Sequence, residues 1–140
     1  MRDPLLHYPG YILRRASSAA MAEFSLRLEG LGLRTTEATI LQIVATNPGI
    51  SQSALGRMLD IQRANMTPIA ARLESRGLMQ RLPSDGRSLG LELTTEGRQL
   101  ANQARAVIDA FETELANRIP EEHRAHLIPA LLALWPSSRD

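Results

Sequence analysis

Cysteine is absent from this 140-residue chain, and its absence excludes several classes of site at once. Without a thiol there can be no disulfide, thiolate metal site, cysteine nucleophile or thiol redox sensor. The sequence also lacks the run of about eighteen apolar residues that a membrane-spanning helix requires. Residues 1–15 carry an acid and two prolines and lack a small-residue cleavage site, unlike a signal peptide. We therefore expect a cytoplasmic protein of one domain, without a membrane partner.

Lysine is absent as well, so all 16 basic residues are arginine, and the net charge is only +1. The distribution of charge is uneven. Residues 57–87 contain six arginines and three acids, whereas residues 99–140 contain four arginines and six acids. Because the guanidinium fork matches phosphates and guanine edges, the basic middle segment is the better candidate for contact with nucleic acid.

Helical spacing of apolar residues, together with capping signals, predicts four helices, a hairpin and two further helices. Pro9 begins the first helix, and Thr35 or Thr36 is expected to cap the second. The remaining signals are Ser51 as a cap, Gly77 as a left-handed C-cap, strands at 78–82 and 89–93, Thr94 or Thr95 as a cap, and Pro120 at the start of the last helix.

This order predicts a mainly α fold with a small antiparallel β-hairpin, namely a winged helix-turn-helix flanked by dimerisation helices. We divide it into an N-terminal dimerisation helix (1–32), the DNA-binding domain (33–97) and C-terminal dimerisation helices (98–140), all in one compact unit. The flanking helices carry apolar stripes that a second copy of the chain could bury. The residues predicted at this homodimer interface are Ile12, Ala104, Ile108, Phe111, Leu115, Leu131 and Trp135.

The second helix of a helix-turn-helix pair enters the major groove, and the side chains at its N-terminus reach base edges. Arginine can fork onto guanine, glutamine and asparagine onto adenine, and threonine can offer a methyl group to thymine. The alternative is that polar residues at a helix start are merely solvated or capping. The position after a first short helix favours base readout by Gln62, Arg63, Asn65, Thr67 and the adjacent Pro68.

Arg57, Arg72 and Arg76 lie further along these helices and are predicted to contact phosphates, although Arg76 could instead pair with Glu74 or simply be solvated. Ser51 and Gln52, at a helix start, are predicted to hold a phosphate through backbone N–H groups.

The hairpin tip carries Asp85 and Arg87. Arg87 could enter a narrow minor groove with Asp85 bracing its guanidinium. The alternative is an ordinary turn with a solvated arginine.

Residues 31–100 resemble the winged helix core of MarR-type transcriptional regulators, through "LGLRTTEATIL", "NPGISQSALGRMLDIQRANMTPIAARLESRGLMQR" and "PSDGRSLGLELTTEGRQL". The family wing usually reads Asp-x-Arg, a strand, then Leu-Thr-x-x-Gly, matched here by Asp85, Arg87, Leu93, Thr94 and Gly97. The resemblance implies a homodimer that binds a palindromic double-stranded operator and is often released by a small ligand. Gly86 stands where relatives often have a second basic residue, so we expect the wing to contribute less than usual.

For the effector, the sequence leaves an organic molecule, with the predicted binding residues His7, Tyr11, Arg14, Arg15 and Arg34. Aromatic rings beside arginine forks suit an aromatic carboxylate or its thioester. The alternative is that the tyrosines are core residues and the arginines pair across the dimer.

Neither a metal site nor a cofactor is expected, because His123 and His126 do not fill a tetrahedral site. The sequence shows no nucleophile–base pair or phosphate-cradling glycine loop, so we expect no enzyme. A winged helix that binds another protein instead of specific DNA is the alternative function, and the low net charge keeps it open.

Overall fold

The computed structural model describes residues 1–83 and 89–135. Within these ranges the predicted order of four helices, a hairpin and two helices is confirmed, as is the mainly α winged helix-turn-helix fold. The elements are α1 (Pro9–Leu28), a 3-10 turn (Glu29–Leu31), α2 (Thr35–Thr46), α3 (Gln52–Met58), α4 (Arg63–Ser75), β1 (Met79–Pro83), β2 (Leu89–Leu93), α5 (Thr95–Asn117) and α6 (Glu121–Leu134).

Backbone contacts divide the chain into two compact units, residues 1–107 and 108–140. The core of the first unit includes the inward faces of α2 and α4. Both faces follow the helical spacing that the sequence predicts. Their buried hydrophobic residues are Ala38, Ile40, Leu41 and Val44 from α2, and Met66, Ala70 and Leu73 from α4. In the described part of the second unit, α6 has no buried residue.

The start of α2 differs from the expectation of a threonine cap. The residue that precedes the helix is Arg34, in an extended conformation with φ −81° and ψ 157°. The side chain of Glu37 reaches back and accepts a hydrogen bond from the Arg34 backbone N–H at 2.9 Å. Because this bond satisfies a donor that the helix itself leaves unpaired, the helix begins one residue earlier than a threonine cap would place it.

The wing also makes an isolated backbone bridge that the sequence did not reveal. Strands β1 and β2 pair antiparallel, with Met79 opposite Leu93. On the other edge of β2, Leu91 forms a bridge with Ile50, through a Leu91 N–H to Ile50 carbonyl bond of 2.8 Å. Gly90 is needed for this approach, because a Cβ there would lie 2.6 Å from the Gly49 carbonyl oxygen.

The alternating run Leu89, Leu91 and Leu93 predicts that all three leucines pack the wing, and two of them are buried. Leu91 and Leu93 are at most 2% exposed, whereas Leu89 is 51% exposed. The expectation for Leu89 is therefore wrong. Its partner in the register is Pro83, at the outer end of the hairpin, and that position lies beyond the Ile50 bridge that covers Leu91.

The wing joins α5 through a close backbone contact. Thr94 donates its backbone N–H to the Leu78 carbonyl at 3.1 Å. The Thr94 hydroxyl accepts the Gly97 N–H at 3.0 Å, which confirms Thr94 as a cap. A Cβ on Gly97 would collide with the Leu78 carbonyl, so this approach requires glycine. The hairpin is thereby fixed against the first turn of α5.

Glu37 is a buried carboxylate that joins α2 to α4. It is 1% exposed. Its Oε1 lies 2.7 Å from Arg72 Nε, and its Oε2 lies 3.7 Å from Arg76 Nη1. A carboxylate withdrawn from water requires charge partners and hydrogen bonds, and these two arginines and the Arg34 N–H supply them. We call this group the Glu37 clamp.

The clamp gives Arg72 and Arg76 partners within the protein, and their predicted phosphate contacts stay predictions. Arg72 contacts Glu37 through its Nε, and its side chain is 42% exposed. Arg76 donates to the Gly32 carbonyl at 2.9 Å, and Glu74, its suggested partner, pairs with Arg81 instead. Both arginines lie toward the C-terminal end of α4, where they face α2.

No helix in residues 1–83 and 89–135 is both long and apolar enough to cross a membrane.

The clamp predicts an asymmetric response to mutation. Arg72→Ala leaves the Glu37 carboxylate buried with weaker partners, and we expect it to lower the free energy of unfolding by about 2 kcal/mol. Glu37→Gln removes the buried charge and retains an acceptor for the Arg34 N–H, so it should cost about 1 kcal/mol. Urea unfolding measures both values.

The double variant Glu37→Gln/Arg72→Ala supplies the internal control, and it should be more stable than Arg72→Ala alone. Arg57→Ala removes an exposed arginine of α3 and should change stability by less than about 0.5 kcal/mol. Equal losses for Arg72→Ala and Arg57→Ala would mean that the clamp does not stabilise the fold.

Candidate nucleic-acid interface

The helix pair α3 and α4 is built around a tight break. The Ser51 hydroxyl accepts the Ala54 N–H at 3.2 Å, which confirms Ser51 as the cap of α3. Asp60 then takes a left-handed conformation with φ 53°. The Ile61 N–H reaches back to the Gly56 carbonyl at 2.8 Å, and a Cβ on Gly56 would stand 3.0 Å from the Ile61 carbonyl oxygen. This geometry lets α4 start immediately after the turn.

The structure brings the predicted base-reading residues together on the exposed side of the first two turns of α4. All five are exposed, whereas Met66 in the same stretch is 1% exposed. They are Gln62, Arg63, Asn65, Thr67 and Pro68. The side chains of Arg63 and Asn65 form no hydrogen bond or ion pair with the residues that the structure describes, so their donors and acceptors are available to a partner.

A groove of about 720 Å³ opens beside this row. It runs between α3, the break at Asp60, the first turn of α4 and the hairpin. Its lining includes three arginines and one acid, Arg57, Arg63, Arg81 and Asp60, and this excess of positive charge suits a polyanion. Five predicted DNA-contacting residues line the groove: Ser51, Gln52, Arg57, Gln62 and Arg63.

Arg81 also lines this groove, although the sequence did not predict it as a site residue. Arg81 of β1 donates from Nε to Glu74 Oε1 at 2.7 Å and from Nη2 to Glu74 Oε2 at 3.1 Å. The same Nη2 donates to Gln52 Oε1 at 2.6 Å. The hydrogen bond to Glu74 raises the pKa of Arg81 above its ordinary value. No local pattern indicates these contacts, because Gln52, Glu74 and Arg81 belong to three different elements.

Asp85 and Arg87, predicted at the tip of the wing, lie outside the described residues. Their contact with the minor groove stays a prediction.

The residues predicted to bind an effector fall into separate places. The Arg14 and Arg15 Cζ atoms lie 5.6 Å and 5.9 Å from the centroid of the Tyr11 ring. The His7 ring stands 4.0 Å from that of Tyr8. Arg34 instead lines a cavity of about 260 Å³ between α2 and α4 that none of the other four lines. The predicted effector residues thus include one cluster of Tyr11, Arg14 and Arg15, whereas Arg34 lines a different cavity.

The Tyr11 ring is also tied to the N-terminal segment. Its hydroxyl donates to Asp3 Oδ2 at 2.7 Å, and Asp3 Oδ1 accepts the Leu5 N–H at 2.9 Å. The bond to Tyr11 lowers the pKa of Asp3, and the same bond raises the pKa of Tyr11.

The predicted dimer residues differ in exposure. Ile12, Leu131 and Trp135 are 44%, 41% and 61% exposed, so they offer apolar surface. Ile108 and Leu115 are half-buried. Ala104 and Phe111 are 0% and 2% exposed in a single chain, and they have no surface left for a second copy. No second copy is present to test the interface, so the predicted dimer residues stay a prediction.

No group of three histidine, aspartate or glutamate side chains in residues 1–83 and 89–135 could hold a metal ion.

Comparisons with known proteins agree with this architecture. The model of the MarR family matches residues 33–89. The chain is 34% identical over 112 residues to the HTH-type transcriptional repressor Rv2887 of Mycobacterium tuberculosis, covering 79% of this chain and 81% of that protein. It is 31% identical over 134 residues to the putative transcriptional regulatory protein for the hcr operon of Thauera aromatica, covering 90% and 78% of the two chains.

Among solved structures, the transcriptional repressor CouR bound to a 23-mer DNA duplex superimposes with a TM-score of 0.87 at 28% identity, covering 96% of this chain and 97% of CouR. Because relatives above 30% identity span most of both chains and the family model matches the winged domain, the chain belongs to the MarR family of transcriptional regulators.

Proposed function

We propose that this protein is a homodimeric transcriptional repressor that binds a palindromic operator and is released by an aromatic acid or its thioester. The observation that carries the DNA-binding part is the row of exposed polar side chains at the start of α4. A helix of this kind, exposed along one side and preceded by a short helix, has the geometry of a major-groove reader.

The basic residues around this row divide into two roles. Arg63 stands at the first position of α4, where a bidentate contact with guanine O6 and N7 is in reach of a recognition helix. Arg57, in the last turn of α3, suits a phosphate of the backbone that the first helix crosses. The structure of CouR with a DNA duplex supports this assignment by analogy of fold.

Apolar surface at the two ends of the chain supports a homodimer. In the first unit, Leu6, Ile12 and Leu13 are exposed, and in the second unit Leu131 and Trp135 are exposed. Large apolar side chains in such numbers are a mark of an interaction surface. A two-fold dimer places its recognition helices on half-sites about 10 base pairs apart, so the operator should be palindromic with that spacing.

An aromatic effector is supported by the cluster of Tyr11, Arg14 and Arg15. Arginine pairs well with carboxylates and phosphates, and the ring offers a stacking face. Two relatives crystallised with such compounds, CouR with p-coumaroyl-CoA and Rv2887 with salicylic acid. CouR in that complex superimposes with a TM-score of 0.85 at 26% identity, covering 96% of both chains.

The DNA proposal predicts different effects for two arginines. A duplex is first selected by the protein from a random pool, and fluorescence anisotropy then measures its Kd and that of a scrambled duplex across salt concentrations. Arg63→Ala should weaken binding to the selected duplex by about 1–3 kcal/mol and relax specificity at one base pair. Arg57→Ala should weaken binding to both duplexes alike and reduce the salt slope by about one.

Arg124→Ala is the matched control, because it removes the same charge from α6 without altering α3 or α4. It should leave the ratio of the two Kd values unchanged. Equal affinity of the unmodified protein for selected and scrambled duplexes would contradict sequence-specific binding and favour a protein-interaction role.

The effector proposal predicts that an aromatic acyl-CoA stabilises the protein against heat. At a hundred-fold excess over Kd, a ligand that binds only the native state adds about 2.7 kcal/mol, and Tm rises accordingly. The compounds to compare are p-coumaroyl-CoA, p-coumarate, salicylate and CoA alone. Their Tm shifts distinguish stabilisation by the aromatic ring from stabilisation by the phosphate-bearing tail. The stabilising compound should also displace the selected duplex in the anisotropy measurement.

Arg14→Ala/Arg15→Ala should reduce the Tm shift, whereas Tyr11→Phe, which keeps the ring, should retain it. No shift with any aromatic acid or thioester would refute this class of effector while leaving the DNA proposal intact.

A further inference from the structure

Arg81 connects the wing to both helices of the DNA-reading pair. Its bidentate contact with Glu74 fixes the guanidinium beside α4, and its Nη2 also meets Gln52 Oε1 at 2.6 Å. Gln52 Nε2 then donates to Thr67 Oγ1 at 3.1 Å, and the Thr67 hydroxyl donates to the Arg63 carbonyl at 2.9 Å. One chain of hydrogen bonds therefore runs from β1 through α3 to the first turn of α4.

The direction of this chain is set by the chemistry of arginine. A guanidinium has donors only, so it can bind Gln52 only through the amide oxygen. The Gln52 amide nitrogen must then point to Thr67. The Thr67 hydroxyl oxygen accepts this hydrogen bond, and its O–H donates to the Arg63 carbonyl of the same helix. Arg81 thus fixes the orientation of an amide that could otherwise flip.

This orientation determines what the two residues can offer to DNA. Because the Thr67 hydroxyl already donates its hydrogen to the helix backbone, Thr67 can offer DNA no donor, and its methyl group can meet a thymine methyl. Gln52 retains one amide N–H and presents a donor. Without Arg81, both side chains could turn, and the same surface would offer a mixture of donors, acceptors and rotamers.

We propose that Arg81 is a positioning residue for base recognition, which presents Gln52 and Thr67 in one fixed orientation; this inference rests on the proposed DNA-binding function. Arg81 does not serve as a phosphate ligand. Its Nε and Nη2 are engaged within the protein, and the Glu74 carboxylate compensates its charge. Its loss therefore lowers the discrimination between sequences and leaves the sequence-independent part of binding in place.

The test compares the Kd values of the selected and the scrambled duplex for variants of the full-length protein. Arg81→Ala should weaken binding to the selected duplex about tenfold, leave binding to the scrambled duplex unchanged and keep the salt slope of the unmodified protein. Arg81→Lys keeps the charge but not the fork, so it should behave like Arg81→Ala. Gln80→Ala, an exposed neighbour on β1, is the matched control and should keep the full ratio.

A double-mutant comparison identifies the route of the effect. If Arg81 acts through Gln52, then Arg81→Ala should add nothing to the loss already caused by Gln52→Ala. Glu74→Gln, which weakens the anchor of Arg81, should give a partial loss of discrimination. Urea unfolding of each variant, and its retained binding to scrambled duplex, establish that the variants are folded.

Three results would overturn the proposal. The first is an unchanged ratio of Kd values in Arg81→Ala. The second is a uniform loss on both duplexes with a salt slope reduced by about one, which is the behaviour of a direct phosphate contact. The third is an additive loss in the Gln52→Ala background. A failure of the proposed function is distinct from these, because the unmodified protein would then not discriminate between the two duplexes.

Discussion

The arrangement of the winged domain depends on one buried carboxylate. Glu37 lies buried in the first turn of α2, and its carboxylate requires cationic partners there. Arg72 and Arg76, which supply those cations, both belong to the last part of α4 or its C-cap. The requirement of one acid for partners therefore fixes the distance and rotation of the recognition helix relative to α2.

The inward residues Met66, Ala70 and Leu73 fill the space that remains. Hydrophobic packing alone would permit small rotations of α4, because apolar contacts have no direction, whereas an ion pair with hydrogen-bond geometry has one.

A second consequence is that the arginines of α4 and the wing divide into two sets. Arg72, Arg76 and Arg81 have partners within the protein, namely Glu37, Gly32, Glu74 and Gln52. Arg57 and Arg63 are exposed and make no such contact with the described residues. Sequence composition could not separate these sets, because every member is an arginine near a helix or strand end. The separation follows from which acids lie within reach after folding, and those acids come from other elements.

The sequence predicted the elements of the fold well, because each has a local cause. Pro9 starts α1, Ser51 and Thr94 cap helices, and Gly77 adopts the left-handed conformation with φ 70°. The candidate DNA-contacting surface was also predictable, since it depends on position along one helix.

What could not be predicted depends on contacts between distant segments. The Glu37 clamp, the bridge from Ile50 to Leu91 and the hydrogen bonds of Arg81 join residues that no periodicity relates. The burial of Ala104 and Phe111 has the same origin, because helical spacing identifies an apolar face but not what covers it.

The division among the arginines also bears on how a protein of net charge +1 can recognise DNA. Non-specific affinity grows with the number of phosphates that are neutralised, and each neutralised phosphate adds to the salt dependence. Where arginines are paired within the protein, they add little to this term. Recognition must then depend more on base edges, which requires side chains in defined orientations. A DNA-binding domain of this kind distinguishes between sequences because its side chains are held rigidly. The acids that reduce its net charge are the same groups that supply that rigidity. Glu37 and Glu74 thus weaken the attraction of the domain for DNA in general, and they hold in place the residues that distinguish one sequence from another.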